Sequence, residues 1–61
     1  MREVFEVEYQ TIDDYSAWIG AGGKVAQFDT YEEADAAGRE VMEKSPPVAN
    51  RFRVHKWTVR D

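Results

Sequence analysis

Hydrophobic and polar positions alternate along the first ten residues: Phe5, Val7 and Tyr9 share one parity, and Arg2, Glu6 and Glu8 the other. Val4 is the apolar exception. A period of two, rich in aromatic and branched side chains, predicts a half-buried strand over residues 2–10 whose polar side meets water. A shorter apolar run over residues 24–29, in which Ala26 and Phe28 share a face, follows the glycine cluster Gly20-Ala21-Gly22-Gly23. Glycine reaches positive φ at little cost, so the cluster marks a turn or bulge and predicts a second strand beginning near Lys24.

The stretch from Thr11 to Gly23 has no single period. Left without structure it would be a loop of thirteen residues, long for so short a chain. Two readings remove the difficulty. Asp13 could cap a helical turn carrying Tyr15, Trp18 and Ile19 at i, i+3, i+4 spacing. Alternatively, Tyr15 to Ile19 is an extra strand that turns through the glycines into Lys24–Asp29, the reading favoured here.

Thr30 to Lys44 carries the strongest helical signal. Thr30 and Glu33 make a T-x-x-E capping box, which predicts that each side chain satisfies the other's free backbone N–H. Glu32, Glu33 and Asp35 crowd the first turns, where the helix dipole favours negative charge, and Lys44 closes the last. Ala34, Ala37 and Val41, joined by Tyr31 and Gly38, form a narrow apolar stripe whose small residues let a helix axis approach a sheet closely. Ser45-Pro46-Pro47 ends the element, because proline lacks the N–H and restricts the residue before it. Residues 50–60 predict a last strand. Phe52 and Val54 share one parity, Trp57 and Val59 the other, so either a bulge near His55-Lys56 resets the register or the two halves bury opposite faces.

The order ββαβ predicts an α+β fold: a small antiparallel sheet of three or four strands with one α-helix packed on one face, in a single domain over residues 1–61. The expected core is Phe5, Phe28, Phe52 and one of Tyr9 or Trp57. The strands flanking the helix would be parallel neighbours or stand either side of the first strand, whose regular alternation suits a central position.

Composition narrows the function classes. Sixty-one residues without cysteine exclude a disulfide, a thiolate nucleophile and a cysteine-ligated metal, and one histidine cannot build a multi-histidine site. No apolar run approaches the ~20 residues of a membrane helix, so a soluble, cytoplasmic protein with no membrane partner is expected. The glycine cluster is not followed by a lysine and hydroxyl opening a helix, which argues against a phosphate cradle. Asp13-Asp14 lacks the spaced oxygen ligands of a calcium loop. His55 has no nucleophile motif to serve. The expectation is therefore no catalytic residue, no cofactor and no metal: not an enzyme.

Charge is unevenly spread. Residues 1–50 carry a balance of −7 and residues 51–61 one of +3, within a net charge of −4. An acidic body thus ends in a basic strand, Arg51, Arg53, Lys56 and Arg60, interleaved with aromatic residues. Cations and rings on a sheet face suit single-stranded nucleic acid, yet nucleic-acid binders are usually basic overall. Cross-strand pairing with Glu3, Glu6 and Glu8 is the plainer account of the cations. Tyr15 and Trp18, in the glycine-flanked segment, and Trp57 are candidate interface anchors, since such rings offer rigid area at low entropy cost.

The run from Phe28 to Ala34, F-D-T-Y-E-E-A, resembles a strand-to-helix transition common to unrelated small α+β domains and carries no functional residue. The self-contained pattern behind Met1 resembles the small open reading frames of bacteria and their phages, which implies a small regulator or inhibitor. The expected function is a non-enzymatic, acidic protein-binding module whose partner is another protein or a second copy in a homodimer. Its candidate contacts are Tyr15, Trp18 and Trp57, with Glu32, Asp35, Glu40 and Glu43 on the helix. The alternatives are nucleic acid bound through Arg51, Arg53, Lys56 and Arg60, or mimicry of a phosphate array by the acidic helix.

Overall fold

In a computed structural model, which describes residues 1–60, the chain forms β1 (Arg2–Thr11), β2 (Ser16–Trp18), β3 (Gly20–Ala21), β4 (Lys24–Val25), α1 (Tyr31–Met42) and β5 (Ala49–Val59). It is an α+β arrangement of one helix with a three-stranded antiparallel sheet, ordered β2-β1-β5, and a separate two-stranded hairpin, β3-β4. The first strand is central, as its alternation predicts: it spends one edge on β5 and the other on β2.

The strand reading of residues 15–19 holds. Asp14 takes a positive φ of 68° and Thr11 N–H donates to the Tyr15 carbonyl at 2.7 Å, which turns β1 back into β2. Beyond Ile19, whose N–H donates to the Val7 carbonyl, the chain leaves the flank of β1. Gly22 and Gly23, at φ 63° and 77°, make the tight turn of the β3-β4 hairpin, a backbone shape that L side chains disfavour. Ala26 N–H donates to the Ile19 carbonyl and closes the base of this excursion; Phe28 then rejoins β1 by exchanging two backbone bonds with Phe5, each 2.8 Å. The expected strand over 24–29 is therefore corrected to a two-residue strand and one bridge, because the hairpin interrupts it.

Helix α1 starts as its cap predicts. Thr30 Oγ1 accepts from the Glu33 N–H at 3.2 Å, which satisfies one of the unpaired first-turn donors. The Glu33 carboxylate returns to the Thr30 hydroxyl (3.3 Å) instead of its N–H. Asp35 and Arg39 pair at 2.8 Å. The helix ends at Met42, two residues before Lys44, with Glu43 as its C-cap, and the Ser45–Pro46 peptide is cis.

Register between β1 and β5 is unbroken from Arg2↔Val59 to Gln10↔Arg51 and slips only at the Gln10/Thr11 step, beyond which Thr11 pairs with Ala49. No bulge lies near His55, so the two halves of β5 present their apolar pairs on opposite sides. Phe52 and Val54 stand with their partners Tyr9 and Val7; Trp57 and Val59 stand with Val4 and Arg2. Helix α1 touches the first side: Tyr31 meets Phe5 edge-on with ring centroids 6.4 Å apart, and Gly38 lies directly against the Phe52 ring.

The wholly buried residues are smaller than the sequence suggests. Val4, Val7, Ala34, Ala49 and Gly38 are buried, whereas Phe5, Phe28, Phe52 and Tyr9 are half-buried and Trp57 is exposed. The small residues of α1 bring its backbone close to the sheet at Gly38, where the half-buried Phe52 ring lies against it. Val4, the residue that broke the alternation, is 1% exposed on the side opposite Val7. β1 thus buries a residue of each parity, as a strand flanked on both edges can.

Candidate binding surface

The side of the sheet away from Phe5 and Phe52 carries Val4, Glu6, Glu8 and Gln10 on β1, and Arg51, Arg53, His55, Trp57 and Val59 on β5. Trp18 joins them from β2, because its register partner is Glu8. Alternation of β5 puts Arg51, Arg53, His55 and Trp57 at successive positions on this side, while Lys56 falls on the other and pairs there with Glu3 at 3.1 Å.

Three rings form a row. The His55 ring lies 5.0 Å from Trp18, tilted by 45°, and 6.1 Å from Trp57, nearly parallel at 15°. Strands β2 and β5 are two strand spacings apart, about 9.5 Å, so Trp18 and His55 meet only by leaning toward each other across β1. Glu8 holds the middle ring: its Oε1 sits 2.9 Å from His55 Nε2, and both side chains are about three-quarters covered. Trp18 and Trp57 remain 39% and 48% exposed. The result is a ribbon of aromatic surface, pinned at its centre and open to solvent at its ends.

Polar groups border the row. Arg51 Nε donates to Gln10 Oε1 at 2.5 Å and Gln27 Nε2 to Glu6 Oε2 at 3.4 Å. Arg53 stands opposite Glu8 in register, yet Glu8 is turned to His55, and Arg53 makes no hydrogen bond or ion pair among the described residues. A shallow hollow of about 340 Å³ runs between these cations and β2, lined by Glu8, Gln10, Ser16, Arg51 and Arg53. A second, of about 350 Å³, lies past Trp18 toward the end of α1 and is lined by Ile19, Val41, Lys44 and Val48.

The expected site residues do not all converge. Trp18 and Trp57 come together through His55, a residue the sequence offers only as a weak catalytic candidate. Tyr15, 72% exposed, stands one residue before β2 and outside the ring row. Its N–H donates to Thr11 Oγ1 at 3.1 Å. Glu32, Glu40 and Glu43 are exposed on α1 and its cap, away from the rings, and Asp35 is held by Arg39. The four cations divide: Arg51 and Arg53 flank the rings, Lys56 answers Glu3, and Arg60 follows the end of β5. The i, i+2 spacing from Arg51 to Trp57 was the signal for the β5 half of this surface. Trp18 could be added only once its pairing with β1 was known.

Among the described residues no group of three or more His, Asp or Glu side chains could hold a metal ion, and no helix is long and apolar enough to cross a membrane. The chain matches no protein-family model, no curated protein and no solved structure.

Proposed function

We propose that this protein is a non-enzymatic protein-binding module in which α1 covers one face of the sheet and the opposite face, centred on Trp18, His55 and Trp57, receives a partner. The observation that supports this reading is the ring row itself: two half-exposed tryptophans held in place by a histidine that a carboxylate pins. Tryptophan side chains dominate interface energetics when they are rigid before binding, because less entropy remains to be lost. A solvated face would be served as well by short polar residues, and would not concentrate both tryptophans of the chain.

The test compares Trp18→Ala and Trp57→Ala with the parent for capture of a partner and for solution mass at micromolar concentration. Each is expected to lose binding or self-association by about tenfold or more, the scale of a hot-spot residue, while circular dichroism stays unchanged. Tyr15→Ala is expected to bind as the parent does. Binding that survives both tryptophan replacements in folded protein refutes the reading, and unfolding on both would make the rings core.

Single-stranded nucleic acid is the second reading, favoured by Arg51 and Arg53 bordering the same rings. Glu6 and Glu8 on that face and the net charge of −4 weigh against it. It predicts affinity for a short oligonucleotide that falls steeply with salt. Mimicry of phosphates by α1 ranks lower, since Arg39 already neutralises Asp35.

A further inference from the structure

β5 is the longest strand of the sheet, eleven residues, and it is an edge. Its two sets of backbone groups can be assigned. Phe5 spends its N–H and C=O on Phe28, and the Val7 carbonyl accepts from Ile19, so the odd residues of β1 bond away from β5. The even residues of β1 therefore bond to β5, and their partners are Arg51, Arg53, His55 and Trp57. Phe52, Val54, Lys56 and Thr58 are left with N–H and C=O groups pointing outward, and no backbone bond among the described residues meets them. Of these four, Lys56 and Thr58 are exposed and Phe52 and Val54 half-buried, with α1 against the Phe52 ring, and no strand of the sheet pairs along this edge.

We propose that the free edge of β5 takes an extended, acidic peptide segment of a partner protein, added to the sheet as a fourth strand. The mode is strand addition, in which main-chain bonds give affinity and alternate side chains give specificity. This rests on the protein-binding reading and names its partner's chemistry. Charge selects the occupant. Residues 51–61 carry +3 in a chain of net −4, and Arg53 has no partner of its own among the described residues. A second copy of β5 would bring three more Lys/Arg residues into the same two-strand ribbon, where like charges repel. Acids at alternate positions of an incoming strand would instead lie beside Arg51 and Arg53, with Trp57 next to them on the same side.

The experiment is hydrogen exchange of the backbone amides, read by NMR, with a fluorescein-labelled peptide as probe. The peptide has about ten residues, alternating Glu with Val and Thr, enough to span β5 at about 3.3 Å per residue. In the free protein the amides of Arg51, Arg53, His55 and Trp57 are expected to be protected and those of Phe52, Val54, Lys56 and Thr58 to exchange quickly. Saturating peptide is expected to slow the second set by about tenfold or more. N-methylation of the peptide at the alternate positions that face β5, and separately Arg53→Glu in the protein, should each weaken binding by about tenfold, measured by fluorescence anisotropy. A peptide that binds with shifts at Trp18 and Trp57 but no new amide protection overturns the edge proposal and leaves the face reading standing. Protection that rises with protein concentration in the absence of peptide overturns it in favour of a second copy. Binding of a short oligothymidylate with none of the peptide overturns both.

Discussion

Glycine in mid-helix is ordinarily a weakness, and replacing it with alanine is ordinarily a gain of about 1 kcal/mol from helix propensity. Gly38 should behave in the opposite way. A Cβ built there lies 2.8 Å from Phe52 Cγ and closer still to Cδ2 and Cε2 of the same ring. Ordinary carbon contacts are about 3.5–4.0 Å, so the ring must retreat by about 1 Å. Rotation about the Cβ–Cγ bond cannot relieve the clash, because Cγ lies on the rotation axis and is itself too close. The ring must swing about the Cα–Cβ bond away from its place over β1, or the Phe52 backbone or the helix axis must move. Overpacking of this kind costs about 1–3 kcal/mol; set against the propensity gain, Gly38→Ala should lose up to about 2 kcal/mol. For a domain of this size each kcal/mol lowers Tm by about 4–8 °C, so thermal and urea unfolding followed by circular dichroism will resolve it. The double variant Gly38→Ala with Phe52→Leu closes the cycle: in the Phe52→Leu background the alanine should become neutral or stabilising, a coupling of about 1–2 kcal/mol. A Gly38→Ala protein that melts higher than the parent would refute the argument that close approach of α1 to Phe52 sets the packing.

Three further outcomes follow from the packing and the backbone. Val4→Ala and Val7→Ala each remove two buried methyl groups, on opposite sides of β1, and should each cost about 1–3 kcal/mol by urea unfolding; a neutral Val4→Ala would mean that the ring side of the sheet is not packed. Gly23→Ala, at φ 77° with nothing within 4 Å of the added carbon, should cost about 1–2 kcal/mol from backbone strain alone, and no loss would place the turn elsewhere. Arg39→Ala removes an ion pair whose arginine is 71% exposed, so its effect on stability should stay within about 0.5 kcal/mol; a larger loss would give that pair a structural part it does not have here.

Local chemistry carried much of the fold into view. The period of two in β1, the capping pair Thr30 and Glu33, the proline stop after α1 and the glycine turn of the hairpin are each decided by neighbours within a few residues, so each can be read from the chain itself. Even the division of β5 was present, as the contrary parities of Phe52 with Val54 and Trp57 with Val59. What the sequence could not supply was which strand lies beside which, and in what register. Strand pairing joins residues such as Glu8, Trp18 and Arg53 that are far apart in the chain, and a shift of one position exchanges the two faces. That is why Trp18 and Tyr15, three residues apart, looked like one site and occupy different surroundings. It is also why His55, unremarkable in sequence, becomes the middle of a ring row when Glu8 and Trp18 are brought across β1. Burial followed the same division: apolar character predicted large rings in the core, but the close approach of Gly38 and Ala34 left Val7 as the fully buried side chain of β1 beneath the helix, with Val4 buried on the other side and both tryptophans of the chain at the surface.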